Sequence, residues 1–67
     1  MDKNLLISRL KLVLAQLDVM HEEAVILAAA QGIEPKKIRN TNGELMLTPI
    51  FVAQANVLAA LANLRDS

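Results

Sequence analysis

Cysteine is missing from this 67-residue chain, and so are tryptophan and tyrosine. Without thiols there is no disulfide and no thiolate metal site. The single histidine, His21, leaves no multi-histidine site within one chain, and Phe51 is the only aromatic ring. Large ring side chains therefore do not supply the core. Neither sign of charge prevails: seven basic and seven acidic residues give a formal net charge of zero. That balance lacks the electrostatic footprint of a general nucleic-acid binder. No glycine-rich phosphate loop, nucleophile–base pair or pair of buried carboxylates can be read from the residues, so an enzyme is not expected, and neither is a cofactor.

Hydrophobic residues make up 54% of the sequence. A chain this short buries only about 60% of the surface its unfolded form exposes, so one small core gives marginal stability. The usual remedies are disulfides, a metal or oligomerisation. Oligomerisation is the remedy that remains. One domain, 1–67, is expected, with a helix at about 3–31, a connector at 32–47 and a second helix at about 49–65. No small-residue cleavage site follows the first apolar run, which itself carries charges, so a cytoplasmic address is the default.

No Pro or Gly interrupts residues 2–31, and Gly32 stands where a C-terminal cap glycine belongs. Asp2 or Asn4 can cap the start. Leu6, Leu10, Val13, Leu17, Met20, Ala24 and Leu27 recur at steps of four and three, a heptad seam widened by Ile7, Leu14 and Ala28. A second ridge, Leu5, Leu12, Val19 and Ile26, also falls seven apart, about 100° round the helix from the nearest edge of the first. Between them runs a polar row of Arg9, Gln16 and Glu23. One stripe can pack inside the monomer; the second ridge is the expected oligomer interface.

In the connector, Asn42-Gly43 is a two-residue hairpin signal, because a type I′ turn needs positive φ at both positions. Folding about it pairs Arg39 with Met46 and Ile38 with Leu47, and puts Ile38, Leu45 and Leu47 on one face. Lys36, Lys37 and Arg39 form the clustered charge of the chain and are a candidate contact for an anion or an acidic partner.

Residues 45–64 carry no charge, the length of a membrane span. Thr48-Pro49 reads as a helix start, which leaves some sixteen apolar residues, short of the ~20 needed. Gln54, Asn56 and Asn63 add a cost in lipid of about 1–3 kcal/mol each when unpaired, so a membrane role is not expected. Ile50, Gln54, Val57, Leu61 and Leu64 share one face, with Phe51 and Leu58 beside it. Asn56 and Asn63 lie seven apart and mark either a solvated face or a polar seam between chains; the solvated face is the preferred reading, a candidate surface for a partner. His21-Glu22-Glu23 begins like the zinc-protease HExxH motif, but position 25 is Val. Asp18, His21 and Glu22 read as a surface network, not a metal site.

The expected fold is mainly α: two antiparallel helices, the first long and the second shorter, joined by a short β-hairpin or loop and assembled as an oligomeric helical bundle. The order helix–hairpin–helix is similar to that of the small head-to-tail joining protein of lambdoid phages, in the order of elements alone. The expected function is non-enzymatic: a phage-like accessory protein that associates with itself and binds another macromolecule, in the first place a protein. The alternatives are an oligomer that sequesters a small anionic ligand or nucleotide, a virion assembly component, and a membrane-active small protein.

Overall fold

The computed structural model describes residues 2–66. Helix α1 spans Lys3–Ala30 and helix α2 spans Leu47–Asp66, with a short 3-10 turn at Pro35–Lys37 between them. The two helices pack against each other as an antiparallel hairpin. Gln54 meets Asp18, and Phe51 meets His21, so each step forward along α1 is matched by a step back along α2.

Both ends of α1 are set by the residues the sequence offers. Asp2 is the N-cap: its Oδ1 accepts from the backbone N–H of Asn4 at 3.0 Å and of Leu5 at 3.2 Å, satisfying donors the helix itself cannot. At the other end Gly32 takes φ +68°, the left-handed conformation that closes a helix. The N–H of Ile33 reaches back to the Ala28 carbonyl and that of Gly32 to Ala29, the paired bonds of a Schellman motif.

The seam that α1 turns toward α2 differs from the one expected. Ile7, Leu10, Leu14, Leu17, His21, Ala24 and Ala28 are buried or half-buried, whereas Val13, Met20 and Leu27 are exposed. The contact is rotated by one row of the helix. The reason lies at the connector end, where the small Ala24 and Ala28 leave room for Ile38 and Leu47 to be buried with them. Those four residues are the core cluster, with Met46 against it. On α2 the expected face does turn inward: Ile50 and Leu61 are buried, and Gln54, Val57 and Leu64 are half-buried.

The connector is a loop held by a single antiparallel bridge between Arg39 and Leu45, and no longer strand occurs among the described residues. The expected hairpin register is therefore corrected by one residue: Arg39 opposes Leu45, not Met46. The Asn40 N–H bonds the Glu44 carbonyl at 2.9 Å and the Gly43 N–H bonds the Asn40 carbonyl at 3.0 Å. Gly43 has φ +79°, while no residue other than glycine has positive φ among those described. This is a three-residue loop, a tight turn closed by a left-handed glycine, in place of the type I′ turn that would need positive φ at Asn42 as well. The Asn40 side chain decides it. Its Oδ1 accepts from the N–H groups of Asn42 and Glu44, at 2.9 and 3.0 Å.

Helix α2 begins at Leu47, two residues ahead of the expected start. Pro49 is tolerated there because the first turn of a helix has N–H groups without intrahelical partners.

Candidate interaction surface

Among the described residues the buried hydrophobics are Ala24, Ala28, Ile38, Leu47, Ile50 and Leu61. Five of them lie at the connector end, and Leu61 is far along α2. A two-helix hairpin has one internal seam, so most of its apolar side chains have no second layer to meet. The consequence is an elongated body of 45 × 18 × 15 Å with a radius of gyration of 14.6 Å. A compact chain of this length would have a radius of gyration of about 11 Å. Its accessible surface is 4938 Å². A folded monomer of this mass is expected to expose about 4,200 Å², so the excess is roughly 750 Å².

Most of the exposed large hydrophobics lie on α1. Leu5, Leu12, Val19 and Ile26 are between 47% and 63% exposed. At 100° per residue they lie about 180° round the helix from the Leu10/Leu14 seam, pointing directly away from α2. Val13, Met20 and Leu27, released from the internal seam, form a second exposed row on the flank. Arg9, Gln16 and Glu23, all exposed, run between the two rows. Where the flank meets the start of α2, Met20, Glu23, Ala24, Ile26, Leu27, Ala30, Met46 and Ile50 line an open apolar groove of about 560 Å³. Helix α2 also presents Phe51, Val52 and Leu58 to solvent. Asn56 and Asn63 are exposed on its outer side.

The basic cluster is dispersed by local bonds. Lys37 Nζ lies 3.6 Å from Glu34 Oε2, an exposed pair. Arg39 Nη1 donates to the Gly43 carbonyl at 2.6 Å and so braces the turn. Lys36 shares a shallow depression with His21, Glu34 and Phe51. A carboxylate stands among the cations and one guanidinium is committed to the backbone, so the three do not converge on an anion.

The Asp18/His21/Glu22 trio separates as well. Asp18 Oδ1 accepts a 2.8 Å hydrogen bond from Gln54 Nε2, and the His21 ring packs on Phe51 with centroids 5.0 Å apart. No group of three or more His, Asp or Glu side chains among the described residues is placed to hold a metal ion. Helix α2 is long and apolar enough to cross a membrane, and only 11% of its apolar window is buried. Shortness therefore does not argue against a span, as the expected start at Pro49 implied. In this structure the helix is paired with α1, and Asp18 is bonded to it about one third of the way along.

Sequence reasoning missed Asn40, which organises the turn. The signal was there, since Asn is favoured at the first position of a type I turn and bonds the backbone two residues on. The chain matches no protein-family model, no curated protein and no solved structure.

Proposed function

We propose that this chain is a non-enzymatic interaction protein that works as a homo-oligomer, dimer or larger, and binds another macromolecule. One observation carries the reading: the Leu5/Leu12/Val19/Ile26 row is exposed on the side of α1 opposite α2, and none of the described residues covers it. Apolar surface of this extent on a small soluble body marks an interaction site. The roughly 750 Å² of excess surface compares with the ~800 Å² that each partner contributes to a standard interface. Self-association through α1 leaves the outer side of α2, with Val52, Asn56 and Asn63, and the flank with Phe51 and Leu58, for a different protein. Leu12→Glu tests the first half, because it places an unpaired charge in the contact. The variant should lower the mass in solution while the helical content stays.

A membrane-active role is the second reading, supported by the length and apolarity of α2. Co-sedimentation with neutral phosphatidylcholine vesicles separates the two. The interaction reading expects the chain in the supernatant, whereas the membrane reading expects it in the pellet. The anion-sequestering alternative has weaker support, because Lys37 and Arg39 already have partners within the connector.

A further inference from the structure

The polar row on the outer face of α1 has a charge order that reads differently in its two directions. Arg9, Gln16 and Glu23 are spaced seven apart, with the cation near the N-terminus, the neutral amide in the middle and the carboxylate toward the C-terminus. All three are exposed, and an exposed apolar row flanks them on each side. Such a face has two ways to meet a copy of itself. In a parallel pair Arg9 faces Arg9 and Glu23 faces Glu23, so both charged steps are repulsive. In an antiparallel pair centred on Gln16, Arg9 faces Glu23 at both ends and Gln16 faces its own copy on the two-fold axis.

We infer that the occupant of this face is a second copy of the chain, docked with the two α1 helices antiparallel and in register about Gln16. This rests on the self-association proposed above and specifies its geometry. Three features of the face fit it. The first is charge, since like charges placed opposite each other penalise the wrong pairing, and this row penalises only the parallel one. The second is shape. With Gln16 on the axis, Leu12 of one copy falls beside Val19 of the other, Leu5 beside Ile26, and Val13 beside Met20. Each exposed row thus meets its own copy, interdigitated on its own flank of the Gln16 row. The flank carrying Val13 of one copy then runs beside the Met20/Leu27 flank of the other, at the edge of the groove that continues to the start of α2, and the symmetry repeats the contact at both grooves. The third is area, because the surplus surface of each chain is close to what one partner of a standard interface gives up. Gln16 against its copy sets the register as a polar residue does within a helical seam.

Because the chain contains no cysteine, single thiols report the geometry without background. Arg9→Cys and Glu23→Cys are prepared separately; both positions are exposed, so both variants should fold. Residues 9 and 23 lie about 21 Å apart along one helix, which keeps like positions apart in the antiparallel pair. A disulfide needs Cα atoms within about 7 Å. On mild oxidation the mixture of the two variants should form a covalent dimer, and neither variant alone should do so. In parallel, Arg9→Glu and Glu23→Arg should each raise the dissociation constant about tenfold or more at low salt, and the double reversal should restore it. Cross-linking of Arg9→Cys with itself, or a double reversal that stays as weak as the singles, would overturn the antiparallel register while leaving self-association in place. A wild-type chain that remains monomeric would overturn the self-association beneath it.

Discussion

Gln54 Nε2 donates to Asp18 Oδ1 at 2.8 Å, tying α2 to α1 across 36 positions of sequence. The bond adds to the alignment of the two helices that the Ala24, Ala28, Ile38 and Leu47 cluster sets at the connector end. Asp18 is exposed, so solvent screens the interaction and its contribution is small. Asp18→Ala and Gln54→Ala should each lower stability by about 0.5–1 kcal/mol, with a coupling of about 0.5 kcal/mol in the double-mutant cycle. Urea unfolding of the four proteins measures it. Strict additivity would mean that the pair does not form in solution.

The turn gives a sharper contrast. Asn40→Ala removes the acceptor for two backbone N–H groups and should cost more than ~1 kcal/mol. Gly43→Val should cost at least as much, because a β-branched side chain resists φ near +79° even though nothing crowds the position. Asn42→Ala should change stability by less than about 0.5 kcal/mol, since Asn42 has no positive φ to support. Thermal melts rank the three. A costly Asn42→Ala beside a neutral Asn40→Ala would restore the type I′ turn.

Much of the architecture was legible because its signals are local. The cap at Asp2, the glycine at 32 and the run without breakers between them delimit α1. The inward face of α2 was legible too, since Ile50, Val57, Leu61 and Leu64 stand on a helix otherwise rich in alanine. The inner seam of α1 was not. Two heptad rows compete there and share Leu10, Leu17 and Ala24, and apolar residues surround so much of the helix that periodicity cannot choose between them. The choice is made by tertiary packing: Ala24 and Ala28 admit Ile38 and Leu47, a contact between residues far apart in sequence. Side-chain volume, not hydrophobicity, decided it. The turn register escaped for a related reason, since Asn42-Gly43 and Asn40 are both turn signals and hydrogen bonds select between them.

The connector cations should divide by role. Lys36→Ala with Lys37→Ala should leave stability within about 0.5 kcal/mol, because both side chains are exposed. Arg39→Ala should cost about 1 kcal/mol through the lost bond to the Gly43 carbonyl. Inorganic phosphate at millimolar concentration should not raise the melting temperature of the wild-type chain, because a ligand stabilises only when it binds the folded state. A rise that disappears in the double lysine variant would move the anion-sequestering reading ahead of the interaction reading.

Changes on the outer side of α2 should leave assembly intact. Asn56→Ala with Asn63→Ala removes two exposed amides remote from the α1 face, so mass and melting temperature should hold within error. Affinity for a protein partner should fall, and the fall should be absent in the double lysine variant. A partner that depends on Lys36 and Lys37 instead would move the docking surface to the connector.

Sedimentation equilibrium over a concentration series is the most direct test of the central claim, that this hairpin completes its burial against a copy of itself. The chain mass is 7.3 kDa. The wild-type protein should sediment at twice that mass or more at micromolar concentration, and Leu12→Glu and Val19→Glu should shift toward one chain mass with their helical spectra retained. A wild-type protein that sediments as a well-folded single chain throughout the series would contradict the account.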